Sequence, residues 1–203
     1  MAFMENVSDR SSPQATEGIA ARAVVLVEGI SDKRAVESLA RRHGRDLEAE
    51  GVSIVGIGGA KNIAAYLIRF GPRGTDLRLA GLCDEREERD FRRGLERAGL
   101  GSDLTRTEME SLGFYVCVRD LEDELIRSLG AEAVEQIVDR QGELERFRIL
   151  QRQPEWRDRD TQEQLRRFMG TYTGRKIRYA PLLVEALDLS RVPRPLDGVL
   201  ASV

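Results

Sequence analysis

Histidine and cysteine are scarce: the 203 residues hold one of the first, His43, and two of the second, Cys83 and Cys117. A zinc centre built from clustered His and Cys ligands is thereby excluded. The two cysteines sit inside apolar runs rather than at a paired spacing, so each is expected to be a small buried hydrophobe, and a cytoplasmic location follows. No run of about 18 apolar residues occurs, and no cationic segment leading into an apolar stretch opens the chain, so no membrane role is expected. Lysine is nearly absent as well. Of 32 basic residues only Lys33, Lys61 and Lys176 are lysines, which makes each position informative in a chain that otherwise uses arginine.

What is present is a soluble globular composition, with 41% hydrophobic and 33% charged residues. The formal net charge of -3 is unevenly spread, because residues 146–194 carry a net +6 while the rest is acidic. A basic tail beside an acidic body can set phosphate contacts next to a carboxylate-held cation.

Residues 1–20 are rich in Ser, Asn, Pro and Gly without apolar period and are expected to be a disordered leader. Over residues 21–130, four β-branched apolar runs alternate with helical segments: AVVLVEG (23–29), VSIVGIGG (52–59), LRLAGLCD (77–84) and GFYVCVRD (113–120). Runs without polar alternation, joined by helices of ten or so residues, predict an α/β domain. Its Rossmann-like sheet should have about four mainly parallel strands and helices on both faces. From residue 131 to 203 only helical patterns remain, predicting a helical C-terminal subdomain that holds the basic segment.

Carboxylates fall where strands end. Glu28 closes the first run, with Asp32 four residues on at the start of a helix capped by Ser31 or Asp32; Asp84 closes the third; Asp120 and Glu122 follow the fourth. The carboxyl edge of a parallel sheet is where such folds bind ligands. Five acids converging there repel unless a cation neutralises them, and an oxygen-only donor set favours magnesium or manganese. GIGGAKN (56–62) is expected to be a tight turn, with Lys61 and Asn62 as phosphate contacts. His43 is expected to cap a helix end, Trp156 to anchor the C-terminal helices, and Tyr66, Tyr115, Tyr172 and Tyr179 to be packing or surface residues.

VLVEGISDKRAVESLA, GLCDEREERDF and VRDLEDELIRSLG together resemble the three blocks of a Toprim domain, the metal-dependent module of topoisomerases, bacterial primases and several nucleases. The likeness is greatest to the Toprim part of OLD-family (overcoming lysogenization defect) nucleases. It spans residues 22–130, with a weaker match near Lys176. It implies that Glu28 is the Toprim glutamate, that Asp32 helps bind a first metal, and that Asp84 is the first acid of an Asp-x-Asp motif. The second acid of that motif falls on Arg86, which cannot ligate a cation. Glu87 is expected to stand in for it, because a helical turn brings the third residue back toward the strand end. Asp120 and Glu122 match the pair after the fourth strand, and Lys176 matches the family's catalytic lysine.

The resemblance thus implies a nuclease that hydrolyses phosphodiesters of nucleic acid, most readily DNA, with two Mg²⁺ or Mn²⁺ ions. Lys61, Arg175 and Arg178 are expected on the nucleic acid. No GxxxxGK[ST] occurs, whereas full-length OLD nucleases carry an ATPase domain, so a free-standing Toprim unit is expected, one that works alone, serves a separately encoded ATPase or survives as a binding module. A homodimer is left open. The alternative is a catalytically weakened Toprim module that binds nucleic acid or that ATPase, for which Arg86 is the motive.

Overall fold

The computed structural model of the chain describes residues 21–203; the expected leader lies outside them. Strand β1 (Ala23–Val27) leads into helix α1 (Ile30–Arg42), and β2 (Val52–Gly56) into α2 (Ile63–Phe70). Strand β3 (Arg78–Asp84) is followed by a 3-10 turn (Glu85–Glu87), α3 (Glu88–Ala98) and a short α4 (Arg106–Ser111). Strand β4 (Phe114–Cys117) precedes α5 (Leu121–Leu129), α6 (Ala131–Arg140), α7 (Leu144–Gln151), α8 (Thr161–Gly170), α9 (Thr173–Ala186) and α10 (Arg194–Ala201). Among the described residues no helix is long and apolar enough to cross a membrane.

The four strands pair in parallel in the order β2-β1-β3-β4, as the unalternated apolar runs predict. All five residues of β1 are buried, because successive side chains enter two different cores. Val25 and Val27 pack with Ala35, Val36 and Leu39 of α1 and with the helices that follow β4. Val24 and Leu26 pack with Ile63 and Leu67 of α2, Phe91 and Leu95 of α3 and Met109 of α4. The C-terminal helices are continuous with the first core, where Tyr179, Leu183 and Val184 of α9 join α1.

Helix α4 was not expected from periodicity. Its signal is a capping box: Thr105 Oγ1 accepts the Glu108 amide while Glu108 returns to the Thr105 amide at 2.7 Å. The turn after β2 is built as expected on Gly58 (φ 67°) and Gly59 (φ 112°), conformations that side-chain-bearing residues resist. His43 forms the C-cap of α1, with its amide on the Leu39 carbonyl at 3.0 Å, and Cys83 and Cys117 are buried and unpaired.

Topology fixes where a ligand can sit. From β1 the chain crosses to β2 on one side, and from β3 to β4 on the other, so a crevice opens beyond the carboxyl ends of β1 and β3. The β1/β3 register ends at Val27↔Leu82, so Glu28 follows one residue and Asp84 two residues beyond the last pair, at the mouth of that crevice.

Candidate active site

Glu28, Asp84 and Glu87 each offer a carboxylate oxygen, and the three atoms lie within 4.8 Å of one another. Glu28 follows β1, Asp84 ends β3, and Glu87 returns to the strand end through the 3-10 turn. Burial first, then the charges of Asp32, Asp120 and Glu122, push the Asp84 carboxyl up to about 8. Burial and the facing Glu28 carboxyl raise Glu87 to about 8 as well. Glu87 Oε2 is buried without a hydrogen-bond partner. A buried, unsatisfied carboxylate oxygen between two more carboxylates is costly alone, and oxygen donors in this number suit a hard divalent cation.

The choice of Glu87 among three neighbouring acids has a structural cause. Arg106 of α4 donates to Glu85 at 2.8 Å and to Glu88 at 2.7 Å, and Arg92 adds a second pair to Glu88. Both flanking acids are tied outside the crevice. Arg86 itself is exposed.

Ser31 and Asp32 are the second and third residues of α1 and neither is its cap, since the helix begins after Gly29. Asp32 Oδ2 accepts the Gly29 amide at 2.9 Å. Burial and the Glu122 charge nevertheless lift it to about 7, against the opposing pull of the Gly29 amide and Lys176.

The far side of the crevice is already neutralised by side chains. Asp120 caps α5, its Oδ1 accepting the Asp123 amide at 2.9 Å, and its Oδ2 accepts Arg166 Nε of α8 at 2.7 Å. Burial works to raise the Asp120 carboxyl, but Arg166 and the Asp123 amide outweigh it and hold the group low. Glu122 Oε2 accepts Lys176 Nζ of α9 at 2.8 Å. Burial alone would lower the Lys176 ammonium; Glu122, with Asp120 and Asp84, raises it instead. The fold therefore brings Glu28, Asp32, Asp84, Glu87, Asp120, Glu122 and Lys176 to one crevice. Arg166 and Arg106 are the residues that sequence reasoning missed, because neither differs locally from the many other helical arginines.

The residues expected on nucleic acid divide. Lys61 is exposed in the turn after β2, whereas the Asn62 amide is spent on the Ile57 and Gly58 carbonyls, at 2.9 and 3.3 Å. Arg178 is half exposed. Arg175 is not available as expected: 6% exposed, it donates to the Phe168 carbonyl and to Glu143 Oε1, each at 2.9 Å. Its neighbour Tyr172, grouped in sequence with the packing or surface tyrosines, is 66% exposed.

No curated protein matches the chain in sequence. Residues 20–78 match the family model described as overcoming lysogenization defect protein-like, TOPRIM domain. The fold is similar to the C-terminal region of the Xanthomonas campestris pv. campestris OLD protein, at 22% identity over 90% of this chain and 92% of that one, with a TM-score of 0.66. It is equally similar to the C-terminal region of the Burkholderia pseudomallei OLD protein, at 17% identity over 91% and 97% of the two chains, with a TM-score of 0.66. Over residues 20–78 the chain is thus similar to a Toprim domain of the overcoming lysogenization defect type, and its fold is that of the C-terminal regions of two OLD proteins.

Proposed function

We propose that the chain is a divalent-cation-dependent nuclease, hydrolysing phosphodiester bonds of nucleic acid at the crevice between β1 and β3. The observation that carries this reading is the trio Glu28, Asp84 and Glu87, with a buried Glu87 oxygen that has no hydrogen-bond partner among the described residues. Those three would hold magnesium or manganese, Asp32, Asp120 and Glu122 completing the set. A bound cation supplies Lewis-acid stabilisation of the charge that builds on phosphate oxygens.

The chain's own groups have separate tasks. Lys176, paired with Glu122 across the crevice, offers an ammonium at the rim that can transfer to a substrate phosphate and offset its negative charge. Arg166 keeps Asp120 ionised and oriented. Tyr179 has its hydroxyl bonded to Glu143 rather than to the carboxylate trio, and hydrolysis by water is the reaction proposed.

The deciding experiment incubates the purified protein with single-stranded DNA, duplex DNA and RNA, with magnesium, manganese or EDTA. Metal-dependent cleavage that Lys176→Ala slows about 100-fold, with cation affinity retained, is the expected result. Cation binding without cleavage of any substrate would instead support the second reading, a Toprim binding module, which the arginine at position 86 favours.

A further inference from the structure

The first turn of α9 carries two sets of side chains on different sides of one helix. Lys176 reaches Glu122 in the crevice. Arg175 and Arg178, with Arg146 of α7 and Tyr172, instead surround an open cavity of about 550 Å³. At its base Glu143, 5% exposed, accepts Arg175 at 2.9 Å, the Tyr179 hydroxyl at 2.9 Å, Arg146 at 3.4 Å, and Arg178. One carboxylate cannot neutralise three guanidinium groups, so the cavity keeps a surplus of two positive charges. Burial does not lock that surplus away, because the Arg146 and Arg178 side chains are 73% and 47% exposed.

Tyr172 completes the arrangement. The Arg175 guanidinium lies 3.9 Å from the centre of the Phe168 ring and 5.0 Å from that of Tyr172, so a cation braces the tyrosine ring from the protein side. Tyr172 as a whole remains 66% exposed, so its ring is reachable from solvent. A braced aromatic beside two partly free arginines is matched by a nucleotide unit, whose base can stack while its phosphates meet the guanidinium groups.

We propose that this cavity is a nucleotide subsite for one strand of the nucleic-acid substrate, continuing from the crevice past Lys176, with Tyr172 as the stacking platform and Arg146 and Arg178 as the phosphate contacts. Arg175 and Glu143 are its frame. This deepens and rests on the reading of the chain as a nucleic-acid enzyme. A single strand is the occupant, because the bases of a duplex are stacked inside it and present no face to the ring.

The test measures fluorescence anisotropy of end-labelled single-stranded DNA and RNA with the full chain in EDTA, so that cation-bridged binding at the crevice is silent. Tyr172→Ala should weaken binding at least about fivefold, the lower end of what loss of one stacked base costs, and Tyr172→Phe should restore it. The double variant Arg146→Ala/Arg178→Ala should lower the slope of log affinity against log salt by about 1.4, the value for two phosphate contacts on a single strand. Thermal melts matching wild type verify that these exposed substitutions leave the fold intact. Wild-type affinity and slope in the variants, or duplex binding equal to single-strand binding with the same loss on Tyr172→Ala, would overturn the subsite. Absence of any strand binding by wild type overturns it too, and a parallel manganese titration then shows whether the carboxylate centre stands without it.

Discussion

At pH 8 the substitution Asp84→Asn should make the cation-free protein more stable and remove its response to magnesium. The oxygens offered by Glu28, Asp84 and Glu87 lie within 4.8 Å of one another. Two full charges at such a separation repel by about 3 kcal/mol at an effective dielectric constant near 20. Burial first, and then the charges of Asp32, Asp120, Glu122 and Glu87, push the Asp84 carboxyl from 3.8 to about 8, so the protein avoids much of this repulsion by retaining a proton. At 1.36 kcal/mol per unit, that displacement represents a native-state penalty on the order of 6 kcal/mol, which water at the open rim reduces to about 2–3 kcal/mol. Asparagine keeps the shape and drops the charge. Nothing is lost in capping, since the Asp84 side chain makes no cap hydrogen bond to the turn that follows it. A chain of this size shifts its Tm by about 2–4 °C per kcal/mol, so the variant should melt about 4–12 °C above wild type in EDTA. Differential scanning calorimetry at pH 8, repeated in excess magnesium, reads both effects. A variant that melts below wild type in EDTA, or gains as much as wild type from magnesium, would refute the argument that Asp84 is a repelled carboxylate awaiting a cation.

Three further outcomes follow from the same geometry. Asp32, Asp84 and Glu87 titrate at about 7, 8 and 8 in the folded chain, against ordinary values of 3.8, 3.8 and 4.5, so the native state holds extra protons between about pH 4 and pH 8. Their contribution to cation-free stability must therefore fall as pH rises through that window, and the magnesium-induced gain in Tm should grow from pH 6 to pH 8.5; a gain independent of pH would contradict it. Arg175→Ala takes from Glu143 its one buried guanidinium partner, leaving Arg146, Arg178 and Tyr179, and unpairs the Phe168 carbonyl; it should cost about 1.5–3 kcal/mol, a drop of at least about 3 °C on melting, whereas a purely substrate-binding arginine would leave Tm unchanged. Arg106→Ala releases Glu85 and leaves Glu88 with Arg92 alone, and should weaken manganese binding about tenfold in a calorimetric titration; unchanged affinity would reduce its two ion pairs to ordinary surface pairs.

Most of the sheet was legible because burial on both faces leaves a plain trace: five consecutive apolar residues in β1 and a glutamate exactly where they stop, at Glu28. Strand ends are also where sequence and topology speak about the same atoms, so Asp84, Asp120 and Glu122 could be placed at one edge before their neighbours were known. The partners of those acids were not legible. Arg166 meets Asp120 across 46 residues and Lys176 meets Glu122 across 54, and only the packing of α8 and α9 against α5 decides which of many basic side chains arrives. Arg175 shows the converse error: a basic residue in a basic segment looks solvent-facing by charge, yet Glu143, 32 residues earlier, draws it inside.

Arg86 ties these observations together. An arginine where an Asp-x-Asp motif has its second acid would be a plain loss if the turn after β3 presented only that position to the crevice. The turn is instead a 3-10 segment, Glu85–Glu87, with three acids in succession around the arginine: Glu85, Glu87 and Glu88. With every one of them free, the crevice would gain competing carboxylates and more repulsion than one cation could offset. Arg106, with Arg92, removes Glu85 and Glu88 from the competition, and Glu87 is left with a buried oxygen that has no hydrogen-bond partner among the described residues. On the proposed reading of the site, the arginine at position 86 moves the ligand by one residue and transfers the burden of selecting it to α4, a helix written into the sequence only as Thr105 and Glu108. If that division of labour is right, Arg86→Asp in an otherwise unchanged chain should add a second carboxylate to an already filled role and raise manganese affinity by less than tenfold, while the same change made together with Glu87→Gln should restore most of the affinity that Glu87→Gln alone removes. Failure of the double variant to recover binding, with its melting behaviour intact, would show that position 86 no longer reaches the crevice and that the turn has been rebuilt around Glu87 alone.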